Sequence, residues 1–285
     1  MPCGLRYEAI VFDLDGTLYR GRVPLPGAAD AVNRLREVVP CRYLSNNGER
    51  EGAELTQRLQ DMGFIVEPGD VISSADLVLD AMCSYPRGTR VLALSSQQLA
   101  GALAARGYRL VQDGSADVVL VGVDRMLTRD RLVAGLRAMQ NGADLVATNQ
   151  DPTYPGEDGL RPAAGAYVGF FRGMGYEPVR FCGKPDEGAV RTAFGIWDIA
   201  DPQRCLFVGD NRKTDIEAAR RIGAESLLVL SGVSEVQADR EDTAPTRVLP
   251  SVAELNPESL RVGDGGWLAG QTASTGEKRL RGGPR

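Results

Sequence analysis

Apolar and polar residues alternate along this chain in two rhythms. Short runs rich in β-branched residues, at 8–15, 41–47, 89–96, 116–124, 143–149, 205–210 and 225–232, read as strands. Between them, apolar residues recur at helical spacing over 26–39, 51–64, 97–107, 129–142, 164–175, 186–195 and 214–223. The segment 71–85 reads as a short strand running into a helix, 108–111 as a short strand, and the Pro- and Gly-rich 151–162 as a loop. Strands that alternate with helices predict parallel, doubly wound α/β sheets joined by right-handed crossovers. No internal repeat of fixed short period is visible. From about Gly263 the pattern stops, and a Gly-, Ser- and Arg-rich tail with no periodicity is expected to be disordered.

Composition narrows the picture. The 285 residues suffice for one large domain or two modest ones, and 43% hydrophobic with 25% charged residues describes a folded protein. A net charge of -5 gives no electrostatic reason to expect nucleic acid or an anionic membrane as partner. The sequence contains no apolar stretch of the ~18 residues a membrane span needs and no signal-like start, so a soluble cytoplasmic protein is expected. The cysteines, Cys3, Cys41, Cys83, Cys182 and Cys205, form no C-x-x-C pair, which points to neither a zinc site nor a disulfide framework. The chain has no histidine, which removes Ser-His-Asp and Cys-His catalysis and histidine metal ligands together. Its chemistry must come from carboxylates, lysine, arginine, hydroxyls, thiols and backbone groups.

Four short constellations supply such groups. Asp13-Leu14-Asp15-Gly16-Thr17 ends the first strand, where ligands bind in open α/β sheets. Neighbouring carboxylates there repel unless a cation is held, although D-x-D-G also occurs as a surface turn. Val208-Gly209-Asp210-Asn211 ends another strand, and Thr214 with Glu217 fits a capping box that places Asp215 in a first helical turn. Ser45-Asn46-Asn47-Gly48 offers a hydroxyl and backbone N–H groups where a strand feeds a helix, which suits a phosphate or a plain polar turn. In Gly183-Lys184-Pro185 the proline fits the first helical position, which would fix Lys184 at a helix entrance. Together they make a magnesium–phosphate pocket, since magnesium takes oxygen ligands from one or two carboxylates plus phosphate. A carboxylate can itself serve as nucleophile in phosphoryl transfer. Neither a G-x-x-x-x-G-K-[ST] loop nor a G-x-G-x-x-G after the first strand is present.

DLDGT, a serine after the second strand, GKP and GD-x-x-x-TD, in this order and over nearly the whole chain, resemble the haloacid dehalogenase-like hydrolase superfamily. The resemblance implies a Rossmann-like core with Asp13 as nucleophile and magnesium ligand. Asp15 would be the acid that protonates the leaving oxygen and the base that later activates water, its carbonyl also touching magnesium. Ser45 would bind the phosphoryl oxygens with Asn46 close by, and Lys184 would neutralise Asp13 and the phosphate. Asp210 would be a magnesium ligand, with Asp215 and Asn211 in support. The stretch between Ser45 and Lys184 is too long for a loop. It resembles the large α/β cap of subclass IIA, which includes 4-nitrophenyl phosphate, nucleoside monophosphate, pyridoxal phosphate and glycerol phosphate phosphatases. VGVDR at 121–125 and ATNQDPTYP at 147–155 fit that subclass. The expected division is a core of 1–80 and 183–262, a cap of 81–182 and a tail of 263–285.

In such enzymes a cap loop selects the leaving group; Asn149, Asp151 and Tyr154 are the candidates here, with a structural turn the alternative. Where the family often has a Pro-Gly-x-Gly-like segment, this chain has Arg161-Pro162-Ala163-Ala164-Gly165. The expected function is magnesium-dependent hydrolysis of a small phosphomonoester (a sugar, glycerol, nucleoside or aryl phosphate) through an aspartyl phosphate. Alternatives are a phosphomutase or phosphotransferase with the same intermediate, or a catalytically silent binding protein on the same fold. A small-molecule substrate is the expected partner, and a homodimer is compatible with the resemblance.

Overall fold

The computed structural model describes residues 5–156, 159–232 and 244–261. The first third runs β1 (Ala9–Phe12), β2 (Tyr19–Arg20), β3 (Val23–Pro24), α1 (Ala28–Arg36), β4 (Cys41–Ser45), α2 (Gly52–Asp61), β5 (Val71–Ser73) and α3 (Ser74–Met82). The middle runs β6 (Arg90–Leu94), α4 (Gln97–Ala105), β7 (Arg109–Leu110), β8 (Val118–Val121), α5 (Arg129–Gln140), β9 (Asp144–Ala147), β10 (Thr153–Gly156), β11 (Gly159–Pro162), α6 (Ala164–Arg172) and β12 (Arg180–Phe181). The last part runs α7 (Glu187–Ile196), β13 (Cys205–Gly209), a π-helical turn over Arg212–Ile216, α8 (Glu217–Ile222), β14 (Glu225–Val229) and β15 (Arg247–Leu249).

Two parallel sheets result. The first has the order β15-β14-β13-β1-β4-β5, and the second, inserted between β5 and β13 in sequence, has the order β12-β9-β8-β6-β7. In the first sheet the chain winds from β1 outward through β4 to β5, then returns to the other side of β1 for β13, β14 and β15. The reversal between β1 and β13 is a topological switch point, where parallel sheets open a crevice at their carboxyl ends.

The residue types explain the layers. β1 and β13 are buried at every position, as strands covered on both faces must be. One face carries α1 and α2, which bury Ala28, Val32, Leu35, Leu55 and Leu59 at helical spacing against Ile10, Phe12 and Leu206. The other face carries α3, α7 and α8, with Phe194 stacked on Phe207 at 6.3 Å between ring centroids. Burying one such ring contributes about 1.5–3 kcal/mol. That same core passes through α3 to Val91, Val118, Leu120 and Val146 of the second sheet, so α3 is shared by the two sheets. The far side of the second sheet packs on α5 and α6 through Ala134, Ala138, Val168 and Phe171. Among the described residues, no helix is long and apolar enough to cross a membrane.

Several local expectations are corrected. The expected loop at 151–162 is an antiparallel ribbon, β10 with β11. Its strand β11 is exposed throughout, so Pro162 there needs no place in a larger ladder. β2 with β3, β12 and β15 were not anticipated, being two or three residues long with too little pattern to read. Thr214 and Glu217 do not form a capping box. The turn opens three residues earlier at Asn211, whose side chain accepts from the Lys213 N–H, while Glu217 pairs with Arg220 and Arg221. Pro185 is not the first helical residue: Asp186 caps α7 by accepting from the Ala189 N–H, and the Lys184–Pro185 peptide is cis. The expected tail, 263–285, lies outside the described residues.

Candidate active site

The crevice at the switch point collects the charged residues. Asp13 directly follows β1, and its N–H donates to the Val208 carbonyl of β13 at 2.8 Å, which carries the strand pairing one residue beyond β1. The chain then turns tightly: the Leu18 N–H returns to the Leu14 carbonyl and the Gly16 N–H to the Tyr19 carbonyl, both at 2.8 Å. Gly16 has φ +87°, and a Cβ there would stand 2.6 Å from Asp210 Oδ2. Glycine is thus what lets the two strand ends approach. The Thr17 hydroxyl lies between them, 3.2 Å from Asp210 Oδ1 and 3.4 Å from Asp13 Oδ2.

Asp215 comes from the π-helical turn, in the first-turn position expected of it, and its Oδ2 accepts the Asn211 N–H at 3.0 Å. Lys184 reaches in from the opposite wall. Its ammonium donates to Asp13 Oδ1 at 2.6 Å and to Asp215 Oδ1 at 2.7 Å, with the side chain only 1% exposed. Asn46 holds the lysine main chain. Its Oδ1 accepts the Lys184 N–H at 2.8 Å and its Nδ2 donates to the Lys184 carbonyl at 2.9 Å. A Cβ on Gly183 would stand 2.8 Å from Asn46 Oδ1 and 2.4 Å from Ser74 Oγ, so glycine is needed for that clamp to close.

Asp13, Asp210 and Asp215 can each place an oxygen within 4.8 Å of the others. Lys184 pairs with Asp13 and Asp215, and the three carboxylates of this buried set outnumber its one charge when ionised. Burial raises the pKa of Asp13 and of Asp215; Lys184 opposes the rise, and the neighbouring carboxylates add to it. For Lys184, burial favours the neutral amine, but Asp13 and Asp215 outweigh it and keep the ammonium charged. Hard oxygen donors with surplus negative charge fit a divalent cation such as magnesium, and Asp13 with Asp210 would hold it. The Asp15 carboxyl is not in that cluster. It stands exposed at the mouth of the crevice, where poor solvation raises its pKa against the opposing pull of Arg58, Tyr19 and Arg50.

Ser45 ends β4 inside the crevice, and its Oγ accepts the Asn47 N–H at 3.2 Å, which leaves its proton to donate. Asn46 was expected beside a phosphate, but its side chain is committed to Lys184 and Asp151, so any phosphate contact falls to its main chain. Asn149 and Asp151 were candidates for reading the leaving group. Both join the inserted unit to the first sheet's loops: Asn149 Nδ2 donates to the Asn46 carbonyl at 2.8 Å, and Asp151 accepts from Asn46 Nδ2 at 2.9 Å. Arg125 adds an ion pair to Glu49 at 3.1 Å across the same joint. Tyr154 is different: with Arg125, Arg129, Arg161 and Tyr167 it lines a cavity of about 390 Å³ beside that joint. Sequence reasoning missed the places of Thr17, Tyr19 and Arg58. Thr17 was legible as the residue four after Asp13; the other two depend on a hairpin too short to show a pattern.

The fold is thus a doubly wound parallel sheet, and the candidate site is a carboxylate–lysine centre, without histidine, at its switch point. The family model described as haloacid dehalogenase-like hydrolase matches residues 10–109, and a second, HAD-hydrolase-like, matches 181–255. An acid sugar phosphatase of Staphylococcus saprophyticus is 31% identical over 255 residues, spanning 88% of this chain and 98% of that protein. The structure of a p-nitrophenyl phosphatase from Archaeoglobus fulgidus superposes with TM-score 0.80 at 28% identity, over 87% of this chain and 97% of that one. The glycerol phosphate phosphatase of Mycobacterium tuberculosis in complex with magnesium gives TM-score 0.77 at 31% identity, over 91% of this chain and 81% of that one. The chain belongs to the haloacid dehalogenase-like hydrolase family and is an enzyme of it.

Proposed function

We propose that this enzyme hydrolyses small phosphomonoesters by passing the phosphoryl group through Asp13, with magnesium bound at Asp13 and Asp210. The observation that carries the reading is the buried Asp13 carboxylate, held by Lys184 at 2.6 Å beside Asp210 and Asp215. Lys184 occupies Asp13 Oδ1 and so leaves Oδ2 as the attacking atom. Attack on phosphorus breaks the bond to the leaving oxygen and gives an aspartyl phosphate. Asp15, whose pKa burial raises, donates a proton to the leaving oxygen. The same carboxylate then takes a proton from water as the water attacks phosphorus, which releases phosphate and restores Asp13. Ser45 donates to a phosphoryl oxygen, and Lys184 offsets the charge gathered on Asp13 and the phosphate. Bound magnesium would supply charge neutralisation for the phosphoryl oxygens. The Asp15 carbonyl would complete its protein ligands, and Asp215 with Asn211 would keep Lys184 in place.

The inserted unit, taken as 81–182 against a core of 1–80 and 183–262, is proposed to act as a cap over the crevice. Asn46, Asn149 and Asp151 fasten it, and Tyr154, on the wall of a cavity in the inserted unit, is the residue proposed to meet the leaving group. The name of the staphylococcal relative, an acid sugar phosphatase, and those of the structural neighbours favour sugar, glycerol and aryl phosphates as first substrates. The test is phosphate release from these esters and from nucleoside and pyridoxal phosphates, with magnesium and with a chelator, for the wild type and Asp13→Asn. Magnesium-dependent release that Asp13→Asn abolishes is expected. Release unchanged by Asp13→Asn would overturn the reading.

A further inference from the structure

Tyr19 opens β2 at the lip of the crevice and is completely buried. Its hydroxyl meets no hydrogen-bond partner of good geometry in the resting arrangement. An unpaired buried hydroxyl is unfavourable, so this position points to a group that engages it during function. Asp15 lies beside it: burial first, and then the Asp15 charge, raise the pKa of the Tyr19 phenol. The backbone ties them as well. Asp15 and Tyr19 form a β-bridge, and the Gly16 N–H between them donates to the Tyr19 carbonyl at 2.8 Å. The far side of the ring is fixed by Arg58 of α2. Its guanidinium lies 4.9 Å over the ring centroid and donates to the Gly21 carbonyl in the turn between β2 and β3. The ring is therefore wedged between a cation and the catalytic loop that carries Asp15.

We propose that Tyr19 is a positioning residue for the leaving-group proton: its buried hydroxyl donates to one oxygen of Asp15 and fixes the rotamer in which the other oxygen reaches the ester bond. Arg58 holds the ring that does this. The proposal rests on Asp15 being the acid of the preceding section. No bond is made or broken at Tyr19; its proton stays on the phenol, and the proton transferred is the one carried by Asp15.

Leaving-group chemistry separates this role from a merely structural one. An alkyl phosphate such as glycerol phosphate leaves as a basic alkoxide unless protonated, whereas 4-nitrophenolate is stable enough to depart unprotonated. Tyr19→Phe should therefore lower the single-turnover rate constant on glycerol phosphate about tenfold or more, the worth of one hydrogen bond to a charged group. The rate constant on 4-nitrophenyl phosphate should stay within about threefold, and the half-saturating concentration of each ester should hold. Phenylalanine keeps the ring and its packing, so thermal stability should be unchanged. Asp15→Asn is measured alongside. If it fails to discriminate between the two esters, the acid reading itself fails. If it discriminates and Tyr19→Phe slows both esters alike, or neither, Tyr19 does not position the acid and this proposal is overturned.

Discussion

Replacing Lys184 by methionine removes one charge and little volume from the centre of the site. In the wild type the ammonium lies 2.6 Å from Asp13 Oδ1 and 2.7 Å from Asp215 Oδ1 at 1% exposure. Breaking a buried ion pair from one side costs about 3–5 kcal/mol, because the partner charges stay buried without compensation. The carboxylates have one escape, which is to take up protons. Burial already raises both pKa values, and losing Lys184 removes the interaction that restrains the rise. A carboxyl whose pKa is higher folded than unfolded binds more protons in the native state, so stability falls as pH rises from the unfolded value through the folded one. The cost of the substitution should therefore be smaller near about pH 5 and larger near about pH 7.5, growing by up to about 1.4 kcal/mol per pH unit for each group that titrates. For a chain of this size the neutral-pH loss corresponds to a drop in melting temperature on the order of 10 °C. The assay is thermal unfolding of the metal-free wild type and Lys184→Met at both pH values. A variant within about 2 °C of wild type at neutral pH, or one more damaged in acid, would refute the reasoning.

Two other outcomes follow from the same geometry. Ligation needs ionised carboxylates, and burial raises the pKa of Asp13, so the melting-temperature increase produced by magnesium should grow from about pH 5 to about pH 7.5; an increase that shrinks over that range would contradict the assigned donors. Gly16→Ala places a Cβ 2.6 Å from Asp210 Oδ2 at φ +87°, so calorimetry should show magnesium affinity reduced about tenfold or more, whereas unchanged affinity would remove Asp210 from the ligand set.

What the sequence allowed one to read follows a physical divide. β1 and β13 are unbroken apolar runs ending in aspartates, and both the strands and the positions of Asp13 and Asp210 at their ends were legible from that pattern. Lys184 was anticipated as a fixed cation, although the reason given was wrong: it is held by the Asn46 clamp, not by Pro185 starting a helix. Asn46, Asn149 and Asp151 show the limit most clearly. Polar residues at strand ends look alike in sequence whether they meet a ligand or another loop, and only the folded chain brings Asn46 to Asp151 at 2.9 Å. Tyr19 and Arg58 were invisible for a related reason, since β2 and β3 are two residues each and carry no periodicity.

The central claim is a phosphoryl group carried on Asp13, and the most direct measurement is chemical trapping of that intermediate. Enzyme turning over 4-nitrophenyl phosphate with magnesium is quenched into sodium borohydride, which reduces an acyl phosphate to the alcohol, and the peptide spanning residue 13 is sequenced by mass spectrometry. Homoserine in place of Asp13, formed only with both ester and magnesium and enriched in Asp15→Asn, is the predicted result. Trapped homoserine at another aspartate, or an unmodified Asp13 in enzyme shown to be releasing phosphate under conditions that trap a known acyl phosphate, would contradict the account.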